Sequence, residues 1–208
     1  MSGRGLFVSF EGIDGSGKTT QARLLSDALR RTGRDVVLTR EPGGSDGAEQ
    51  IRRLVLNGPA ERWSAETELL LFTAARRDHL ERVVWPALDR GATVICDRFA
   101  DSTRVYQGTT RGDLRQTVDR LHELTIGTEP DLTFLVDMDP VAALSRADAR
   151  GGESRFESMG AAMQTRMRAA FLDLAKCHPR RIVVIDGNRP ADAIAQDVFA
   201  AFRGRSLG

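Results

Sequence analysis

Gly12-Ile13-Asp14-Gly15-Ser16-Gly17-Lys18-Thr19 fits the pattern G-x-x-x-x-G-K-[ST], and each residue type in it has a chemical reason. Glycines let backbone N–H groups turn inward around phosphate oxygens, and a helix opening at the end of the loop adds positive potential. The Lys18 ammonium can reach the β- and γ-phosphates of a nucleoside triphosphate, and the Thr19 hydroxyl can ligate Mg2+. A chance glycine-rich turn is the alternative. Against it, "LFVSFE" before the loop reads as a strand and the residues after it as a helix, which is the context the motif needs. Such loops also serve GTPase switches and ATP-driven motors. The strand ends where a guanine-reading N-K-x-D would stand are "FLVDMDP" and "VIDGNRP", and neither supplies one.

Other residues are candidates for gripping a second ligand. "TREPGG" places Arg40 at the end of a strand, where an arginine can hold a phosphate bidentately or pair with Glu41 or another surface acid. "ICDRF" brings Asp97 and Arg98 to the end of another strand. Asp97 there can serve the metal side of a phosphate loop, or cap a helix. Phe72 and Arg76 are spaced i, i+4 and share a helix face. Phe72 is either core or a platform for a planar base. Arg76 has donors only, so it suits a base carbonyl such as the O4 of thymine or uracil and opposes the amino group of cytosine. "DSTRVYQG" adds Ser102, Tyr106 and Gln107, which line the same cavity or lie in a surface loop. The segment 145–157, "SRADARGGESRFE", gathers Arg146, Arg150 and Arg155 around a glycine pair; it reads as a solvated loop or as a lid over phosphates.

These residues need a frame that brings distant segments to one edge. Apolar, β-branched runs at 6–11, 35–40, 92–97, 132–138 and 181–186 predict strands covered on both faces. Between them, helical stretches are predicted at 18–32, 46–57, 64–90, 112–126, 140–150, 158–177 and 190–203. Strand and helix alternate, which predicts an α/β fold with a parallel sheet and one domain over residues 1–208.

Composition narrows the function classes. Hydrophobic residues make up 41% of the 208 and charged residues 28%, with a formal net charge of +1. The balance argues against a general nucleic-acid binder. Cys96 and Cys177 form no disulfide framework and read as reduced thiols of an intracellular protein. The start "MSGRGLFVSFEG" has no apolar leader and no window approaches a membrane span. The expectation is a cytoplasmic protein with no membrane partner.

Taken in order, "FEGIDGSGKTTQ", "TREPGG", "LLLFTAAR", "DRFADS…YQG" and "SRADARGG" resemble the motifs of the thymidylate kinase family. The resemblance runs from residue 7 to the strand at 181–186. It implies a P-loop NTPase fold with a five-stranded parallel sheet, helices on both faces and a short lid near 145–157. It implies transfer of the ATP γ-phosphoryl group to dTMP with Mg2+, and a homodimer. By position, Arg40 and Arg98 would hold the dTMP phosphate, Phe72 would stack on thymine and Arg76 would donate to O4. Tyr106 would pack on the deoxyribose, with Ser102 and Gln107 completing the base pocket. Asp14 would lie between the acceptor and the metal region, and Asp97 would serve Mg2+ with Thr19. Some members carry a catalytic arginine just after the loop Asp. Here that position is Gly15, so the resemblance assigns the charge to Arg150, Arg146 or Arg155, with Arg150 also on ATP. Phe99 stands where the family usually has tyrosine, and Arg104 is an unusual neighbour of Tyr106.

Overall fold

The computed structural model describes residues 4–59, 62–108, 114–148 and 160–206. Its centre is β1 (Phe7–Glu11), with β3 (Thr93–Asp97) on one side and β4 (Leu132–Asp137) on the other. β2 (Val36–Arg40) and β5 (Ile182–Asp186) complete a parallel five-stranded sheet in the order β2-β3-β1-β4-β5. All strands therefore end at one edge, where Glu11, Arg40, Asp97 and Asp137 emerge. The boundaries fall within two residues of those the apolar runs predict.

Period-2 alternation divides the sheet between two cores. Val8 and Phe10 of β1, Ile95 of β3 and Phe134 and Val136 of β4 pack under α1 (Lys18–Arg31) and α9 (Ala191–Ser206). On the other face, Phe7, Val94 and Cys96 meet Leu80, Val84 and Leu88. These last belong to one long helical run. α3 (Ala65–His79) passes through a π-turn at Leu80–Val84 into α4 (Trp85–Asp89), so the single predicted helix 64–90 carries a bulge. Further along that face, Leu135 packs with Met167 and Phe171 of α8 (Gly160–Cys177). α2 (Asp46–Leu56) lies against α3, while α6 (Arg115–Thr125) and α7 (Pro140–Asp148) flank the site.

The sequence reading leaves 101–108 open as loop or cavity wall. The structure folds Ala100–Tyr106 into a short helix, α5, with Ser102 half-buried and Tyr106 and Gln107 buried. "ADSTRVY" has no apolar period to announce a helix. Its order comes from tertiary contacts instead. The residue before it, Phe99, offers no side-chain cap. A residue of β1 takes that role: Glu11 Oε1 accepts from Phe99 N at 2.7 Å and Ser102 N at 3.3 Å, and Oε2 accepts from Ser102 Oγ at 2.6 Å. The orphan amides of the first turn are thus met by a buried carboxylate.

Behind α5, Arg104 is buried and reaches Asp101 at 2.8 Å and Asp119 at 3.0 Å, and also pairs with Glu129. Arg181 closes the cluster on Asp101 at 2.6 Å and Thr133 at 2.9 Å. The unusual Arg104 is thus the centre of an ion cluster that joins α5 to α6 and to the start of β5.

Burial, and then the nearby Asp101 charge, push the Glu11 carboxyl up to about 7. An acid whose folded pKa lies above its unfolded value near 4.5 loses stabilising effect as pH rises through that interval. Glu11→Gln should therefore become more stable relative to the parent between pH 5 and pH 7.5. Urea unfolding at several pH values measures this; a difference independent of pH refutes it.

Candidate active site

The strand ends and the phosphate loop open into one cavity of about 620 Å³. On its floor, Gly12, Gly15 and Gly17 take positive φ values of 137°, 81° and 97°, which glycine adopts without strain. Lys18 starts α1 and is almost fully buried, with Nζ donating to Ile13 O at 2.7 Å. Burial, helped by the charge of Arg98, brings its pKa down to about 8. Ser16 is buried in the same loop, its Oγ 3.5 Å from Lys18 Nζ.

Thr19 Oγ1 donates to Asp97 Oδ2 at 2.5 Å. Asp97 Oδ1 is buried and has no hydrogen-bond partner among the described residues. A buried, unpaired carboxylate oxygen beside a threonine hydroxyl is the donor chemistry a small hard cation takes, with phosphates and waters supplying its other oxygens. The residues present therefore fit Mg2+.

Facing the loop across the cavity is Arg98, a non-glycine residue with φ 73°. Its Nη2 donates to Asp14 Oδ1 at 2.5 Å and Tyr106 OH at 3.2 Å, and its Nη1 to Ser102 Oγ at 2.9 Å and Gly12 O at 3.3 Å. Tyr106 OH in turn donates to Asp14 Oδ2 at 2.9 Å. Burial would raise the Asp14 carboxyl, but the Arg98 and Lys18 charges and the Tyr106 bond outweigh it and hold Asp14 below the usual range. Burial also drives the Tyr106 phenol up, so it stays a protonated donor at neutral pH.

The far wall comes from α3 and α5. Phe72 and Arg76 both line the cavity, as their helical spacing predicts. Arg76 is buried, with Nε on Glu41 Oε2 at 2.7 Å and Nη2 on Thr103 Oγ1 at 2.9 Å. Its guanidinium lies 5.1 Å from the centre of the Phe99 ring, so the ring retained at that position still has an electrostatic use. Gln107 lines the cavity and donates to Glu68 Oε1 at 2.8 Å. Arg40 also lines it and pairs with Glu49 at 2.9 Å on its exposed side. The acid Arg40 pairs with is Glu49; Glu41 turns inward to Arg76.

Of the three segment-145–157 arginines, Arg146 lies on α7, exposed, with Nη1 on Met138 Sδ at 3.4 Å. Arg150 and Arg155 fall outside the described residues. Gly15 itself explains why no arginine stands there. A Cβ on it would lie 1.9 Å from the carbonyl oxygen of Ala143 in α7. Any side chain would have to displace that helix.

Sequence reasoning missed four contributors. Glu11 orders α5, and Glu41 and Thr103 hold Arg76. Arg52 of α2 lines the cavity beside Arg40 and donates to Pro42 O at 2.6 Å. Glu11, Glu41 and Thr103 all sit inside quoted motifs, but nothing local marks their roles, because the groups they hold lie far away in the chain.

The geometry agrees with comparisons to known proteins. The model of the thymidylate kinase family matches residues 10–198. Thymidylate kinase of Ruegeria pomeroyi is 69% identical over 199 residues, covering 95% of this chain and 94% of that protein. The Caulobacter vibrioides enzyme of that name is 53% identical over 192 residues, 92% of each. The crystal structure of thymidylate kinase from Ehrlichia chaffeensis superposes with a TM-score of 0.78 at 36% identity, covering 96% of this chain and 99% of that one. A phosphate loop and a cation-rich wall facing it on one parallel sheet, with relatives this similar over nearly the whole length, place the chain in the thymidylate kinase family, an ATP-dependent group of nucleoside monophosphate kinases.

Proposed function

We propose that this cavity passes the γ-phosphoryl group of ATP to the 5′-phosphate of dTMP, giving ADP and dTDP for dTTP synthesis. What carries the reading is one continuous cavity with a phosphate loop at one end and, at the other, a buried Arg76 beside Phe72. Phosphoryl transfer asks a protein for in-line positioning and for charge that offsets the moving group, and for little covalent chemistry. On the donor side, the loop amides from Gly12 to Thr19 and the Lys18 ammonium hold the triphosphate. Thr19 and Asp97 would hold Mg2+, which when bound would supply charge that offsets the phosphates.

On the acceptor side, Arg40 and Arg98 grip the dTMP phosphate, with Arg52 adding a third positive charge. Asp14 orients Arg98 and lies between the two nucleotides. Tyr106, fixed by Asp14, packs on the deoxyribose and disfavours a 2′-hydroxyl. Phe72 stacks on thymine, Arg76 donates to O4, and Ser102 and Gln107 complete the base pocket. The Gly15 position excludes a side chain, so the additional catalytic charge is assigned to Arg150, Arg146 or Arg155, with Arg150 also contacting ATP. The working unit is one domain, as a homodimer in the cytoplasm. Leu54 and Leu70, exposed by 43% and 58% on α2 and α3, offer apolar surface for pairing, and no helix among the described residues is long and apolar enough to cross a membrane.

A substrate panel tests the assignment: ADP should form with dTMP, weakly with dUMP and not with UMP, CMP or AMP; equal turnover across the panel refutes it. Arg76→Ala should raise KM for dTMP by about 10- to 100-fold, the worth of a hydrogen bond to a charged donor, while KM for ATP holds. Replacing Arg146, Arg150 and Arg155 singly by Ala should lower kcat at least about tenfold in one of them, given what an added arginine supplies in phosphate-loop enzymes. Steady-state kinetics with coupled ADP detection reads both.

A further inference from the structure

Arg76 carries its donors on a rigid planar fork, so its fixed bonds decide which nitrogen a ligand meets. Nε is held by Glu41 Oε2 and Nη2 by Thr103 Oγ1. No hydrogen bond among the described residues engages Nη1, which leaves it for a ligand. The orientation of the fork then depends on the orientation of the Glu41 carboxylate.

Behind Glu41 stands His79, with no exposed surface. Its Nδ1 lies 3.1 Å from Glu41 Oε1 and its Nε2 lies 2.8 Å from Thr39 Oγ1. The Arg76 charge and the His79 bond outweigh burial and keep Glu41 ionised, so the carboxylate only accepts and Nδ1 carries the proton. Each oxygen of Glu41 thus has its own partner, and any rotation breaks both bonds. The imidazole cannot shift either. The Gly44 backbone closes over it so tightly that a Cβ there would fall 2.6 Å from Nε2 and 2.5 Å from Thr39 Oγ1. Thr39, half-buried, and the buried His79, Glu41, Arg76 and Thr103 form one relay from β2 through α3 to α5. His79 is not among the residues lining the cavity.

We infer that His79 is a positioning residue that sets base selectivity: by fixing Glu41, it aims Arg76 Nη1 at a carbonyl on the pyrimidine and so rejects a base with an amino group there. The inference rests on the reading that Arg76 faces the acceptor base. Without the imidazole, one oxygen of a buried carboxylate loses its partner, and the carboxylate turns and carries the fork with it.

The test compares His79→Asn with His79→Gln in the full chain. The Asn amide nitrogen takes the place of Nδ1 and can still donate to Glu41; the Gln amide reaches the Nε2 position toward Thr39. Measured for each are kcat, KM for dTMP and ATP, and the ratio of kcat/KM for dTMP over dCMP. His79→Gln should raise KM for dTMP and shrink the ratio, each by about tenfold or more, as displaced positioning groups do, with KM for ATP unchanged. His79→Asn should retain most of both. Equal losses in the two variants, or losses falling equally on ATP and dTMP, overturn the proposal and make His79 a packing residue.

Arg76→Ala run in parallel separates the two levels. If it leaves the dTMP over dCMP ratio intact, the base-facing reading itself fails. If it collapses the ratio while His79→Gln does not, only the positioning role fails. Should neither His79 variant fold, Glu41→Asp draws the carboxylate back by one methylene, and an unchanged ratio there overturns the proposal as well.

Discussion

The Arg98 guanidinium is the contact on which both halves of the site depend. It is largely buried, and burying a cation is costly unless it is paired and hydrogen-bonded. Its partners come from both sides: Gly12 O and Asp14 belong to the phosphate loop, Ser102 and Tyr106 to α5. Satisfying one charge therefore fixes the distance between the phosphate loop and α5. The same need explains the left-handed backbone at residue 98, an uncommon conformation for a residue with a side chain. The surroundings over-determine it: Arg98 N bonds to Phe10 O at 2.9 Å, and Phe99 N to Glu11.

That arrangement passes the burden to α5, a helix of seven residues. A helix so short has little stability of its own. It is held at the front by Glu11 and from behind by Arg104 and Arg181 with Asp101, Asp119 and Glu129. A buried ion cluster is a poor source of net stability, because desolvation offsets the attraction. It is a strong constraint on position, since displacing any member leaves a charge unpaired. α5 lines the cavity with Ser102, Thr103 and Tyr106 on one side and carries this cluster on the other. The cluster therefore serves geometry more than stability.

Legibility in the sequence follows this division. The sheet could be read because all five strands are written as apolar runs. β1, β3 and β4 are buried on both faces, whereas the edge strands β2 and β5 leave Leu38 and Val184 exposed, against the expectation of cover on both faces. The phosphate loop could be read because its function resides in backbone geometry that consecutive residues fix. Phe72 and Arg76 could be read because a helix places i and i+4 together. α5 could not, since "ADSTRVY" holds its shape through Glu11, 91 positions before Ser102. The partners of Arg76 could not either: Glu41 is 35 positions away and Thr103 is 27. Local pattern identifies which residues have the chemistry. Which of their donors remain open to a ligand is decided by long-range pairs that no window contains.

Gly15 shows how one close contact can keep a side chain out of the phosphate loop. The loop has room for a phosphate on its inner side but none on its outer side, where the Ala143 carbonyl lies 1.9 Å from the place a Cβ would occupy. An arginine at this position would need α7 to move outward. α7 packs by Ala143 and Ala147, both buried, so its inner face is built from small residues that allow the close approach. Moving it would open that packing and lose contact with Met138 and Ile13, which share its core cluster. The chain has thus taken the tighter helix–loop contact over a cation in the loop. On the proposed reaction, the charge that Gly15 cannot carry is assigned to Arg146 on that same helix or to Arg150 and Arg155, which follow it in the sequence.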